Sequence, residues 1–145
     1  FKVIQQVMLS KKENGCQGGG HVYYITVVDK NGAPLDNVTV RRLYAGNIEI
    51  PATGAKGSGK TEDVAPRFAG DRLYVYRDNN TGAIYDYQAE QTELTRNLSE
   101  EPREIGPEDH VAGGFCDNIA DCQIQINQGT LCAGHYSYRV TFQKQ

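Results

Sequence analysis

The chain is predicted to be all-β, an antiparallel β-sandwich, and three features of its sequence point there. Residues 21–28, HVYYITVV, form an unusually apolar run. The turn DKNGAP closes that run, and a second run rich in β-branched residues, NVTV, follows at once. The segment HYSYRVTF at residues 135–142 alternates apolar and polar residues, as a half-buried strand does. The regular strand–helix alternation that a parallel α/β sheet needs is absent.

In chain order, residues 1–9 have strand composition, with Val3, Val7 and Leu9 set against Ile4 and Met8, and end in the polar, Gly-rich stretch 10–20. This predicts an edge strand, whose unpaired backbone groups either complete its own sheet or pair with another subunit. Val3, Val7 and Leu9 are the side chains such an assembly strand would bury. In the next strand Val22, Tyr24, Thr26 and Val28 point one way and Tyr23, Ile25 and Val27 the other, which predicts an interior strand covered on both faces. Asn31-Gly32 tolerates positive φ and Pro34 withdraws a donor, so the chain turns there. Val38 and Val40 resume the pattern, with Thr39 and Arg41 opposite. Residues 47–50 form a short strand stopped by Pro51, and residues 52–60 a Gly-rich loop. Leu73 and Val75 alternate with Tyr74 and Tyr76, and Asp78-Asn79-Asn80-Thr81-Gly82 is a hairpin turn into residues 83–88. From 90 to 109 the sequence is polar, contains Pro102 and Pro107, and reads as a long surface excursion of the kind that often carries binding. One short helix fits after Asp117, with Ile119, Cys122 and Ile126 at helical spacing and Gly129 as its stop, although Ile124 and Ile126 also fit a strand.

The 145 residues suit a single domain, which at this size buries roughly 70% of the surface its unfolded chain exposes. Four cysteines, none in a CxxC or zinc-type spacing, predict two disulfides in an oxidising compartment. Proximity in sequence favours Cys116 with Cys122, leaving Cys16 with Cys132, and the other pairings stay open. A net charge of −3 with mixed signs leaves no cationic stripe for nucleic acid, and no apolar stretch approaches the ~20 residues that span a bilayer. The first residue, Phe1, is not an initiator Met, so the expectation is a processed chain or a piece of a longer one.

The pattern D-x-N-G-x-P-L-x-N-V-x-V at residues 29–40, together with the later strand GDRLYVY at 70–76, resembles the opening of carboxypeptidase-regulatory-like and transthyretin-like modules of secreted proteins. The resemblance covers about residues 21–77, and the segment 88–133 departs from a minimal module. It implies an Ig-like or transthyretin-like sandwich outside the cell.

Gly54-Ala55-Lys56-Gly57-Ser58-Gly59-Lys60-Thr61 matches the phosphate-binding pattern G-x-x-x-x-G-K-[ST]. That chemistry needs a buried strand before the loop and a helix after it. Here Ile50-Pro51-Ala52 enters and Glu62-Asp63-Val64-Ala65-Pro66 leaves, so the match reads as coincidence. His21 and His135 stand at comparable strand starts, and His110 lies in the polar stretch, but no spacing nominates a third metal ligand. Glu100, Glu101, Glu104, Glu108 and Asp109 lack the fixed cleft a carboxylate pair needs for hydrolysis. The pairs Tyr74/Tyr76, Tyr85/Tyr87 and Tyr136/Tyr138 each project from one sheet face, where they line the core periphery or stack a sugar. Sequons stand at Asn37, Asn79 and Asn97, with Asn79 the most accessible. The expected function is therefore a non-catalytic structural or assembly module outside the cell or on its surface, as a filament subunit or an accessory domain, with no cofactor. It would bind itself or neighbouring extracellular domains. Carbohydrate or protein binding is the rival, and nucleotide binding a distant third.

Overall fold

The computed structural model describes residues 1–15, 22–44, 46–64, 71–86, 90–95, 105–131 and 136–145. Two sheets face one another, accompanied by short helices. The first has four strands in the order β1-β7-β2-β4, formed by Lys2–Met8, Tyr138–Gln143, Val22–Val28 and Lys60–Val64. The second has three, β3-β5-β6, formed by Val38–Arg42, Leu73–Asp78 and Ala83–Ile84. Residues 48–53 run beside β3, through Ile50 N–H to Val40 O and Thr53 N–H to Val38 O, and then cross to β4 in the other sheet.

The architecture is the predicted sandwich, but not a purely antiparallel one. β2 and β7 run parallel, with Tyr23 opposite Tyr138 and Val28 opposite Gln143. The core lies between the sheets: Tyr23, Ile25 and Val27 from β2 and Val140 and Phe142 from β7 face Val38, Val40, Leu73 and Val75. Each such side chain, fully buried, contributes about 1.5–3 kcal/mol. The expectation that β2 is covered on both faces fails. Its second set faces outward, with Tyr24 41% exposed, because no layer lies over that side of the sheet among the described residues.

β1 also departs from its expected alternation. A bulge between Val3 and Gln5 inserts one residue, so Ile4 and Val7 turn outward at 53% and 45% exposure while Met8 packs against the core. Val7 is thus not a buried residue of this strand; Val3 is half-buried and Leu9 is buried.

Three helices are described. The first, α1 (Lys11–Asn14), opens on a capping box between Ser10 and Glu13. The second, α2 (Pro107–Ala112), starts inside the stretch expected to be a surface loop. That expectation fails at residues 90–95 too, where Thr92 and Thr95 are buried and bonded to Leu73, the first residue of β5, and to Asp71 just before it. The third, α3 (Ile119–Gln128), is the predicted helix. Asn118 rather than Asp117 caps it, Gly129 ends it at φ 65°, and Cys122 and Ile126 are its buried face while Ile119 is exposed.

Candidate functional site

β1 is an edge strand with two different sides. Along one it pairs antiparallel with β7, from Lys2 opposite Gln143 to Met8 opposite Tyr138. Along the other it meets residues 90–93 through side chains: Val3 N–H donates to Glu90 Oε1 at 3.1 Å, and the Gln6 amide donates to Glu93 O at 3.1 Å and accepts from Glu93 N–H at 2.8 Å. Phe1 packs edge-on against Tyr85, with ring centroids 5.4 Å apart. The strand is pinned at its ends and along its inner side, and its apolar residues Ile4 and Val7 face solvent.

A second feature lies on the outer face of the four-stranded sheet. Cross-strand register sets Val7, Arg139, Tyr24 and Glu62 in one row and Gln5, Thr141, Thr26 and Lys60 in the next. Two walls rise over these rows. Glu13 of α1 binds Arg139 at 3.1 Å, and Lys56 of the Gly-rich loop binds Glu62 at 2.5 Å. They bound a trough of about 540 Å³ floored by Tyr24 and Thr26. Lys60 makes no ion pair among the described residues. Sequence reasoning missed this site, since its residues come from four separate segments.

The loop matching the nucleotide pattern has other work. The N–H groups of Gly54 and Lys56 go to Lys60 O, that of Gly57 to Gly54 O, that of Lys60 to Gly57 O, and that of Gly59 to Asp36 Oδ1. Strand β4, not a helix, follows. These five amides are engaged within the protein and are not offered to a phosphate. Gly59 is obligatory, at φ 68°, with a Cβ there meeting Val27 O at 2.7 Å.

The tyrosine pairs are largely structural. Tyr74, Tyr136 and Tyr138 are buried, and Tyr76 lies under the Arg41 guanidinium, 3.2 Å from the ring centroid, with Arg77 at 5.6 Å. Both arginines also reach Glu49. Tyr87 lies outside the described residues. His110 is buried, with Nε2 2.8 Å from the Tyr136 hydroxyl and Nδ1 without a partner among the described residues; burial lowers its pKa below the usual 6.5, against the opposing pull of the Gly106 backbone and Asp109. His21 and His135 lie outside the described residues, and among those described no three His, Cys, Asp or Glu side chains converge.

Cys116 and Cys122 form the expected disulfide, with Cα atoms 5.3 Å apart. Cys16, Cys132 and Asn97 fall outside the described residues. Asn37 and Asn79 are both exposed and meet at one end of the sandwich, where Asn79 Nδ2 donates to Thr39 Oγ1 at 3.0 Å and Asn37 Nδ2 to Asn80 Oδ1 at 3.4 Å. No described helix is long and apolar enough to cross a membrane. The fold and these features define a two-sheet β-sandwich with a terminal edge strand. No known family matches the chain, nor does any curated protein or solved structure.

Proposed function

We propose that this is a non-catalytic structural or assembly module of the carboxypeptidase-regulatory-like and transthyretin-like kind, working outside the cell, with β1 carrying the contact between subunits or with a neighbouring domain. The observation that carries this reading is the mismatch within β1: its bulge sends Ile4 and Val7 into solvent at the rim of the sheet while Gln6 serves the edge. A strand that leaves its own apolar residues uncovered is suited to being covered by another chain. The Cys116–Cys122 disulfide supports an oxidising compartment. Light scattering coupled to size exclusion tests the reading. The full chain should assemble with rising concentration, and the double substitution Ile4→Lys, Val7→Glu should give a folded monomer. A chain that stays monomeric at high concentration, and whose deletion of residues 1–9 only lowers the melting temperature, would assign β1 to its own sheet and remove the assembly role.

A further inference from the structure

The geometry points to a second role, beyond assembly: the trough on the outer face of the four-stranded sheet binds an acidic saccharide, Tyr24 supplying the surface for a sugar ring and Lys60 the countercharge for its carboxylate. Tyr24 is 41% exposed in a trough whose lining mixes apolar surface from Leu9 and Ile25 with the polar side chains of Thr26, Thr61 and Lys60. Such a lining matches a ligand with one apolar face and a rim of hydroxyls. The charged neighbours of Tyr24 in its row are already held, Arg139 by Glu13 and Glu62 by Lys56, so binding would order little that is not ordered beforehand. One step along β2, opposite Thr26, stands Lys60, exposed and without an ion pair among the described residues. The uncommitted charge of the trough is therefore positive, carried by the strand beside β2 one cross-strand row on from Tyr24, a backbone rise of about 7 Å for two residues.

Other ligand classes fit less well. An apolar molecule would cover the apolar part of the lining but leave the Lys60 ammonium covered with no partner. A nucleotide would find one uncommitted cation among the described residues, and the loop amides of Gly54, Lys56, Gly57, Gly59 and Lys60 are donated internally. A peptide adding as a strand needs a free backbone edge, whereas β7 and β2 forming the floor are paired to neighbours on both sides.

Calorimetry on the full chain tests this, with a hyaluronan tetrasaccharide as the acidic probe and chitotetraose as its neutral counterpart. The acidic probe should bind saturably and more tightly than the neutral one, and Lys60→Gln should weaken the acidic probe alone, by about tenfold, as loss of one charge-assisted contact does. Tyr24→Ala should weaken both probes and Tyr24→Phe neither, with melting curves confirming the fold; the exposed Lys60→Gln keeps the test decisive if Tyr24→Ala does not fold. Absence of saturable binding, equal binding of a tetraglutamate peptide, or binding unchanged in Lys60→Gln would each overturn the assignment.

Discussion

Glu13 accepts hydrogen bonds from the Ser10 backbone N–H at 3.1 Å and hydroxyl at 2.8 Å, and from Arg139 at 3.1 Å, and these hold its carboxyl down at about 2. A depressed carboxylate stabilises the fold above its unfolded value of 4.5, and that contribution is lost as pH falls through about 2. Carbon-detected NMR titration should place the Glu13 midpoint near 2, and a midpoint of 4.5 would mean that the α1 wall of the trough is not formed in solution. His110 works in the opposite sense. Its folded pKa lies below 6.5, so the unfolded chain binds the extra proton between the two values and stability falls as pH drops below 6.5. Melting temperature should decline across that interval in the native protein and decline less in His110→Gln; parallel profiles would remove the buried imidazole from the account. Arg42 and Asp63 join the two sheets, Nε to Oδ2 at 2.8 Å, yet neither atom has the alignment of a hydrogen bond. Burial raises the Asp63 pKa, and the Arg42 charge only partly reverses this. Removing one partner of such a pair strands the other, so Arg42→Ala should cost about 3–5 kcal/mol in denaturant unfolding, whereas Arg42→Met with Asp63→Leu should recover most of it. Equal losses in both would mean that packing, not charge, is what Arg42 contributes.

Among the elements, those whose own residues settle the matter were legible in the sequence: β2, β3, β5 and β7 by alternation, the turn at 78–82 by its Asx and Gly chemistry, and α3 by the spacing of Cys122 and Ile126 with Gly129 behind. What failed depends on partners distant in the chain. The bulge in β1 is set by its ladder with β7, and shifting one residue exchanges inside for outside. The burial of Thr92 and Thr95 rests on bonds to β5, so their polar stretch reads locally as loop. The parallel pairing of β2 with β7 joins strands more than a hundred residues apart in sequence. The trough was illegible for the same reason, because β2 lent it a tyrosine that apolar periodicity had assigned to a covered face. At α3 the disulfide makes a quantitative expectation. Peptide mapping without reductant should recover Cys116 linked to Cys122, and replacing both by Ala should cost about 2 kcal/mol for so short a loop in the chain-entropy model. Recovery of Cys116 joined to any other cysteine would contradict the placement of the helix.

The molecule as a whole closes on its first and last strands. Lys2 stands opposite Gln143, so β1 begins where β7 ends, and beyond them Phe1 rests on Tyr85 while Lys144 binds the buried Asp78 at 2.7 Å. Burial alone would raise the Asp78 pKa, but the Lys144 ammonium and the Asn80 N–H outweigh it and hold the carboxyl below its usual range. Both contacts reach from the four-stranded sheet to the three-stranded one. This layout has a mechanical consequence. Tension applied between residues 2 and 143 acts across the β1–β7 ladder, parallel to its hydrogen bonds, and opens them one after another like a zip. Tension applied between residues 22 and 143 instead slides two parallel strands lengthwise and loads their bonds together. In a single-molecule pulling experiment the first geometry should yield at much the lower force, with Phe1–Tyr85 and Lys144–Asp78 parting before any strand does.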